Sequence, residues 1–304
     1  MNTAACRLRA ALAAPHRTIA ALVYDPVSAR VAEMRGLDIC YLGGSVVKSA
    51  NFALPDDVAM SGWSELAEAC RRIRRVADLA LIMDVDDAGG TSLSILRTVR
   101  ELEAAGVAGV EIEDNSVPQY YGQATSRHAL IAPVEVQVDR YRAALAARRS
   151  EDTVVFARTV AHTFSDTPAE EYRRRVAAYA ATGVDGLVLP ELDHHGLDGK
   201  ADVEAAHEAA RDLPIIALGL SFELQQDSEW LAANRVKILV AKDNWAYRMA
   251  VRAIDDCFAH LAAGGNPADL VERAVPLPTV RRVMTRTQEY RDWSERYDSL
   301  QARP

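Results

Sequence analysis

Carboxylates collect at two places in this sequence. One is Met83-Asp84-Val85-Asp86-Asp87-Ala88-Gly89-Gly90, which closes an apolar run; the other is Val110-Glu111-Ile112-Glu113-Asp114. In an extended strand alternate side chains share a face, which would place Asp84 with Asp86 and Glu111 with Glu113. Carboxylates converging in this way repel one another unless a cation or protons compensate. Hard oxygen donors without His or Cys suit Mg²⁺ or Mn²⁺ rather than zinc. Taken singly, each acid is ordinary as a helix cap or a solvated loop charge. As a set on adjacent strands, Asp84, Asp86 and Glu113 are the candidate metal ligands.

Other residues sit at comparable places. Arg158 follows the apolar Val154, Val155 and Phe156; its guanidinium could hold a substrate carboxylate bidentately, or pair with one of the acids above. Leu42-Gly43-Gly44-Ser45 is a small-residue turn, either a cradle of backbone N–H groups for an anion or simply a tight turn that needs glycine. Leu189-Pro190-Glu191 ends another apolar run, and Asp193-His194-His195 follows. Adjacent histidines do not face the same way on a regular element, so these two read as loop residues. Asp25 and Pro26 have a structural reason, as N-cap and first residue of a helix.

The elements that must position these residues alternate along the chain. Strands are expected at Ile19–Tyr24, Ile39–Gly43, Leu79–Asp84, Gly109–Glu113, Thr153–Arg158, Gly186–Pro190, Pro214–Leu218 and Val236–Ala241. Between them apolar residues recur at helical spacing, most clearly in Ser94–Gly106, with Ile95, Val99 and Leu102 on one face and Gly106 as C-cap. Further helices are expected at Ser64–Val76, Val134–Arg149, Ala169–Gly183, Asp202–Asp212 and Asn244–Gly264. Strands apolar throughout and separated by amphipathic helices imply a parallel sheet covered by helices. Eight such units suit a closed (β/α)₈ TIM barrel, of α/β class, better than an open doubly wound sheet, and no Gly-x-Gly-x-x-Gly follows the first strand. The catalytic barrel is expected over 18–264, after a helical extension at 1–17 and before a helical tail at 265–304 that packs on a neighbouring subunit. In such barrels chemistry sits at the carboxyl ends of the strands, where all the candidates above lie.

Composition excludes several partners. The chain has 304 residues, 49% hydrophobic and 26% charged, with a formal charge of −8. No basic surplus exists for nucleic acid or an anionic membrane, and no apolar run is long enough to span a bilayer. The Arg- and Ala-rich start reads as a short amphipathic helix rather than a targeting peptide. Cys6, Cys40, Cys70 and Cys257 are scattered, without ligand spacing, as expected of buried free thiols in a reducing cytoplasm.

At these residues the chain resembles the isocitrate lyase/phosphoenolpyruvate mutase superfamily. The resemblance is carried by Tyr24-Asp25-Pro26-Val27-Ser28-Ala29-Arg30, Tyr41-Leu42-Gly43-Gly44-Ser45, Leu54-Pro55-Asp56, Asp84-Val85-Asp86, the stretch Arg97–Asp114 and Ala157-Arg158-Thr159. It implies a barrel whose last helix is exchanged between subunits, usually in a dimer of dimers, hence a homotetramer. It also implies Mg²⁺ held by Asp84, Asp86 and Glu113, Asp56 closing the site, backbone N–H groups at Gly44 and Ser45 on a substrate carboxylate, and Arg158 on a 2-oxo acid. Tyr41, Gly43, Gly44, Ser45, Asp84, Arg158 and Glu191 are thus the candidate substrate-binding residues. The shared chemistry is an enolate whose oxyanion is stabilised by metal and arginine.

The departures narrow the expectation. Isocitrate and methylisocitrate lyases carry a Cys and a His in the loop after the fourth strand; here it reads Asn115-Ser116-Val117-Pro118-Gln119-Tyr120-Tyr121-Gly122-Gln123. The lysines of phosphonopyruvate-forming mutases are missing too. The pattern is most similar to the oxaloacetate decarboxylase branch, so the expected activity is a metal-dependent carboxy-lyase acting on a small 2-oxo or 2-hydroxy acid. The alternatives are a carbon–carbon lyase or condensing enzyme for a 2-alkylmalate-like or methylisocitrate-like acid, with Tyr120 or Tyr121 as acid, a phosphonopyruvate-type enzyme, and a non-catalytic barrel that binds an organic acid. A second departure is Asp86-Asp87-Ala88-Gly89-Gly90, where the family usually has Asp-Thr-Gly-Tyr-Gly. An extra carboxylate beside a metal ligand could change metal affinity or disfavour a doubly anionic substrate.

Overall fold

A computed structural model describes residues 3–55, 61–116, 131–164, 167–193, 196–241 and 243–298. Alternation of strand and helix begins after α1 (Thr3–Ala13) with β1 (Thr18–Leu22), α2 (Pro26–Met34), β2 (Ile39–Leu42), α3 (Gly44–Phe52) and α4 (Trp63–Arg74). It continues with β3 (Ala80–Asp84), α5 (Ser92–Ala104), β4 (Gly109–Glu113), α6 (Val134–Ala147), β5 (Val154–Arg158) and α7 (Ala169–Ala180). β6 (Gly186–Leu189), α8 (Gly199–Ala209), β7 (Ile215–Leu218), α9 (Phe222–Gln226), α10 (Ser228–Ala233) and β8 (Val236–Val240) complete the series. The strands pair in chain order and β1 pairs with β8, all parallel, so the sheet is a closed eight-stranded barrel. Each expected strand is present, within two residues at either end.

Local chemistry sets the helix starts. The Asp25 carboxylate accepts the Ser28 N–H at 2.7 Å and the Ser28 hydroxyl accepts the Asp25 N–H at 3.0 Å, a capping box with Pro26 at the first position. Thr91 caps α5, whose Ile95, Val99 and Leu102 are fully buried against the sheet. Gly106 follows that helix at φ +86°, which an L side chain rarely adopts.

Period-two alternation divides the strand residues between two cores. Cys40, Leu42, Leu81, Met83, Val110, Ile112, Val155 and Ala157 face outward to the helices. Ile39, Tyr41, Ala80, Ile82, Val154 and Phe156 fill the bore together with Ala4, Ala5, Leu8 and Leu12 of α1, which plugs the amino-terminal end of the barrel. Phe156 is the large residue of that layer. A Cβ on Gly109 or Gly186 would meet its ring at 3.1 or 3.0 Å, so glycine on both neighbouring strands makes the room. With its floor filled by hydrocarbon, the bore leaves only its carboxyl end for polar side chains.

The chain divides into two compact units, Met1–Tyr247 and Arg248–Pro304. The second holds most of α11 (Trp245–Ala262), a 3₁₀ segment Pro267–Arg273 and α12 (Thr287–Tyr297). In it Met249, Ile254, Phe258, Val271 and Trp293 are all more than half exposed. No helix among the described residues is long and apolar enough to cross a membrane.

Candidate active site

Three strand ends carry the charged side chains. In the parallel register Asp84 lies beside Glu111, and Glu113 beside Arg158. Asp84, Glu111, Glu113 and Arg158 all point into the bore, since each is an even number of residues from an interior position on its own strand.

Asp86 reaches the same place differently from the sequence expectation. β3 ends at Asp84, so Asp84 and Asp86 do not share a strand face; Asp86 stands in the following turn at φ +50°. A left-handed non-glycine residue costs on the order of 1–3 kcal/mol and persists where its surroundings over-determine it. Here the Asp86 N–H donates to Asp84 Oδ1 at 3.0 Å, its carbonyl accepts the Glu113 N–H at 2.8 Å, and Lys48 Nζ donates to its Oδ2 at 3.0 Å. The turn folds the side chain back, and carboxylate oxygens of Asp84, Asp86 and Glu113 come within 4.8 Å of one another.

Gly43 and Gly44 answer the question left open about their turn. Gly43 has φ −70° and starts α3 as its N-cap, so no left-handed backbone demands it. Gly44 allows a close approach: a Cβ there would stand 3.3 and 3.5 Å from the two Asp86 carboxylate oxygens, so any side chain would crowd that carboxylate. Its N–H donates to Asp84 Oδ2 at 3.3 Å. The Ser45 N–H, one residue further into the first turn, lies at the positive end of the same helix.

Arg158 is the counter-charge of the bore. Its Nη1 lies 2.8 Å from Glu111 Oε1 and 3.3 Å from Asp84 Oδ2, and its Nη2 lies 2.8 Å from Glu113 Oε1. Burial alone would lower the guanidinium pKa, but Glu113, Glu111 and Asp84 hold it well above its ordinary value. Glu111, fully buried one layer below the mouth, is pushed up to about 7, chiefly by burial, with Arg158 opposing. The Tyr41 hydroxyl donates to its other oxygen, and burial holds that phenol well above its usual range. Glu113 is raised well above the carboxylate range by burial, with Asp84, Asp86 and Glu111 adding to the rise despite Arg158. A trio of hard oxygen donors that Arg158 and Lys48 leave with this much repulsion fits a divalent cation.

A second tier fixes these strand ends, and sequence reasoning missed it. On α6 Gln137, Arg140 and Tyr141 share one face and are buried. Gln137 Nε2 donates to the Glu113 carbonyl at 3.1 Å, Arg140 to the carbonyls of Gly90 at 3.1 Å and Asn115 at 2.8 Å, and the Tyr141 hydroxyl reaches those of Ile112 and Arg158, each at 3.1 Å. Asp114, with no exposed surface, accepts from the Thr159 hydroxyl at 2.7 Å, the Val160 N–H at 3.0 Å and the Tyr179 hydroxyl at 2.9 Å, with Arg175 at 3.4 Å. A polar i, i+3, i+4 stripe was the available signal, but on sequence alone it reads as a solvated face.

The remaining candidates are placed as follows. Asp87 is buried and is not one of the three converging acids; its carboxylate accepts the Gly89 N–H at 2.6 Å, and burial raises its pKa, with that hydrogen bond and the charges of Arg140 and Lys48 opposing. Glu191 is half-buried at φ +60°, next to Pro190, whose carbonyl lies 2.7 Å from His162 Nε2. Asp56, Tyr120, Tyr121, His194 and His195 lie outside the described residues.

Fold and site together define a class: a parallel (β/α)₈ barrel whose mouth carries an acidic cluster suited to a divalent metal, with an arginine beside it. The chain belongs to the phosphoenolpyruvate phosphomutase family, whose model matches residues 8–262. It is 39% identical over 263 residues to an oxaloacetate decarboxylase of Rhodopseudomonas palustris (strain BisB18), covering 86% of each chain. It is 34% identical over 291 residues to an oxaloacetate decarboxylase of Paraburkholderia xenovorans, covering 96% of this chain and 92% of that one. Among solved structures, a phosphoenolpyruvate phosphomutase from Streptomyces platensis subsp. rosaceus superposes with a TM-score of 0.83 at 26% identity, covering 96% of this chain and 99% of the other.

Proposed function

We propose that this chain is a Mg²⁺- or Mn²⁺-dependent carboxy-lyase that decarboxylates oxaloacetate or a substituted 2-oxo diacid. The convergence of Asp84, Asp86 and Glu113 beside Arg158 carries the reading, supported by the likeness to oxaloacetate decarboxylases over most of the chain.

In this reading Asp84, Asp86 and Glu113 hold the cation, which when bound supplies Lewis-acid polarisation of the 2-oxo group. Arg158, braced from below by Glu111 and Tyr41, faces the 2-oxo acid end of the substrate, where negative charge develops. The N–H groups at the start of α3, Gly44 and Ser45, with Gly43 before them, orient a substrate carboxylate, and Glu191 at the exit of β6 is a further substrate-binding candidate. The bond between the distal carboxylate and its α-carbon breaks. Its electron pair moves into the new carbon–carbon double bond, the 2-oxo oxygen takes up the charge, and CO₂ leaves. A proton from solvent then restores the 2-oxo acid. This requires no side-chain acid for the departing group, whereas release of an organic carbanion does. Asp56 closes the site in this reading.

A homotetramer belongs to the same proposal. Met249, Val251, Ile254, Phe258 and Leu261 of α11 are 40–69% exposed in the single chain, which is the area an exchanged helix would bury. A cytoplasmic location agrees with four free thiols, although only Cys40 and Cys70 are buried as expected, Cys257 being half-buried and Cys6 exposed.

The test is product analysis with oxaloacetate and substituted 2-oxo diacids in the presence of Mg²⁺ or Mn²⁺. CO₂ and the shortened 2-oxo acid are expected, with little or no glyoxylate from isocitrate or methylisocitrate. Robust glyoxylate release that is lost in a Tyr120→Phe, Tyr121→Phe pair would overturn the reading in favour of a tyrosine-assisted lyase.

A further inference from the structure

We propose that Lys48 is the resident counter-charge of Asp86 and that, by opposing a bound cation, it sets how tightly the acidic trio binds a divalent metal. The inference rests on the metal reading of Asp84, Asp86 and Glu113.

Lys48 is fully buried, which is rare for lysine unless its charge is compensated. It lies one helical turn after Gly44 on α3, and residues four apart stack on one helix face. Gly44 gives Asp86 the space to fold back over the helix, and Lys48, next along that face, donates to Asp86 Oδ2 at 3.0 Å. One turn of one helix thus shapes the pocket for a ligand carboxylate and grips its oxygen. The Asp86 carboxylate held there lies among the oxygens of Asp84 and Glu113.

The same ammonium opposes a cation bound to that carboxylate. Charges a few ångströms apart in a partly buried site interact strongly enough to alter an affinity tenfold or more. Asp87 is the opposing element. Buried and tied to the Gly89 N–H, it adds negative charge next to Asp86 without joining the trio. The acid that distinguishes this turn therefore works as an internal balance to Lys48.

The experiment is Mn²⁺ binding to the full chain, followed by the electron paramagnetic resonance of free Mn²⁺ and by calorimetry, for wild type, Lys48→Met, Asp87→Asn and the double variant. Lys48→Met should bind Mn²⁺ at least tenfold more tightly, Asp87→Asn more weakly, and the double variant should fall between them. Opposite signs are the discriminating readout, because simple damage to the turn weakens binding in every variant. Lys48→Gln, which keeps a polar end toward Asp86, is the second variant should circular dichroism show Lys48→Met unfolded, and the same tightening is expected of it. Binding by the folded Lys48 variant that equals or falls below wild type, or tightening in Asp87→Asn, overturns the proposal. Absence of Mn²⁺ binding to wild type instead removes the metal reading, and this inference with it.

Discussion

Arg158 Nη1 sits 2.8 Å from Oε1 of Glu111, a carboxylate with no exposed surface one layer below the barrel mouth. The pair joins the hydrocarbon-filled floor of the bore to its polar rim. Glu111 holds the guanidinium from beneath, so that its remaining nitrogen edge lies beside Glu113. Replacing Glu111 by Gln keeps the shape and removes the charge-assisted bond, worth about 1.5–3 kcal/mol. The expected result is a roughly 10–100-fold fall in kcat/KM with unchanged circular dichroism. Full kcat/KM would show that Arg158 needs no anchor.

Removal of the metal and of one ligand should have the same effect. Activity is expected to vanish in chelator and to return with Mg²⁺ or Mn²⁺. Asp86→Ala should lower kcat by about 100-fold or more, measured below its melting temperature, which is expected to fall because the buried Lys48 loses a carboxylate partner. Full activity in chelator would exclude the role assigned to the trio.

Asp114 is expected to matter for stability. Its carboxylate joins Thr159, Val160 and Tyr179, with Arg175 buried beside it. Asp114→Ala strands these donors at a cost of about 1–3 kcal/mol, while Arg175 keeps Glu171 at 2.9 Å. Urea unfolding should show that loss; a change below about 1 kcal/mol would mean that water replaces the carboxylate.

A pH dependence is expected from Asp202, in the first turn of α8. Its pKa is raised from 3.8 to about 6, chiefly by burial, with Asp198 and Asp193 adding to it. Its Oδ2 has no hydrogen-bond partner among the described residues. The folded chain therefore keeps this proton to higher pH than the unfolded chain does. The associated stability is present below pH 3.8, falls as pH rises, and is gone above about 6. Because the group is partly solvated, the effect is discounted to about 1 kcal/mol. Asp202→Asn should stabilise the protein at neutral pH by about that amount and flatten this part of the profile, as followed by thermal melts across the pH range. A variant no more stable than wild type at neutral pH would count against the assignment.

The sequence by itself determined the barrel and the positions of its strand ends. Strands such as Leu79–Asp84 and Gly109–Glu113 carry their limits in composition, because a strand buried on both faces is apolar until it reaches water. For the same reason Asp84, Glu113 and Arg158 could be assigned to one rim, and the lack of Cys and His near them pointed to hard-ligand chemistry. Only the tertiary structure decided how those charges are shared. Strand alternation predicts a common face for Asp84 and Asp86, but the left-handed turn at Asp86 brings them together by another route, which depends on a Glu113 N–H from the next strand. Lys48 and Asp86 are 38 positions apart, and a lysine at that spacing from its partner reads as one more surface charge. The roles of Gln137, Arg140 and Tyr141 carry no mark in the sequence, because their acceptors are backbone carbonyls, which every residue has. Burial of an apolar run is a local property written in residue types. The pairing of buried charges depends on which surfaces the closed barrel brings within 3 Å, and only the closed barrel defines those surfaces.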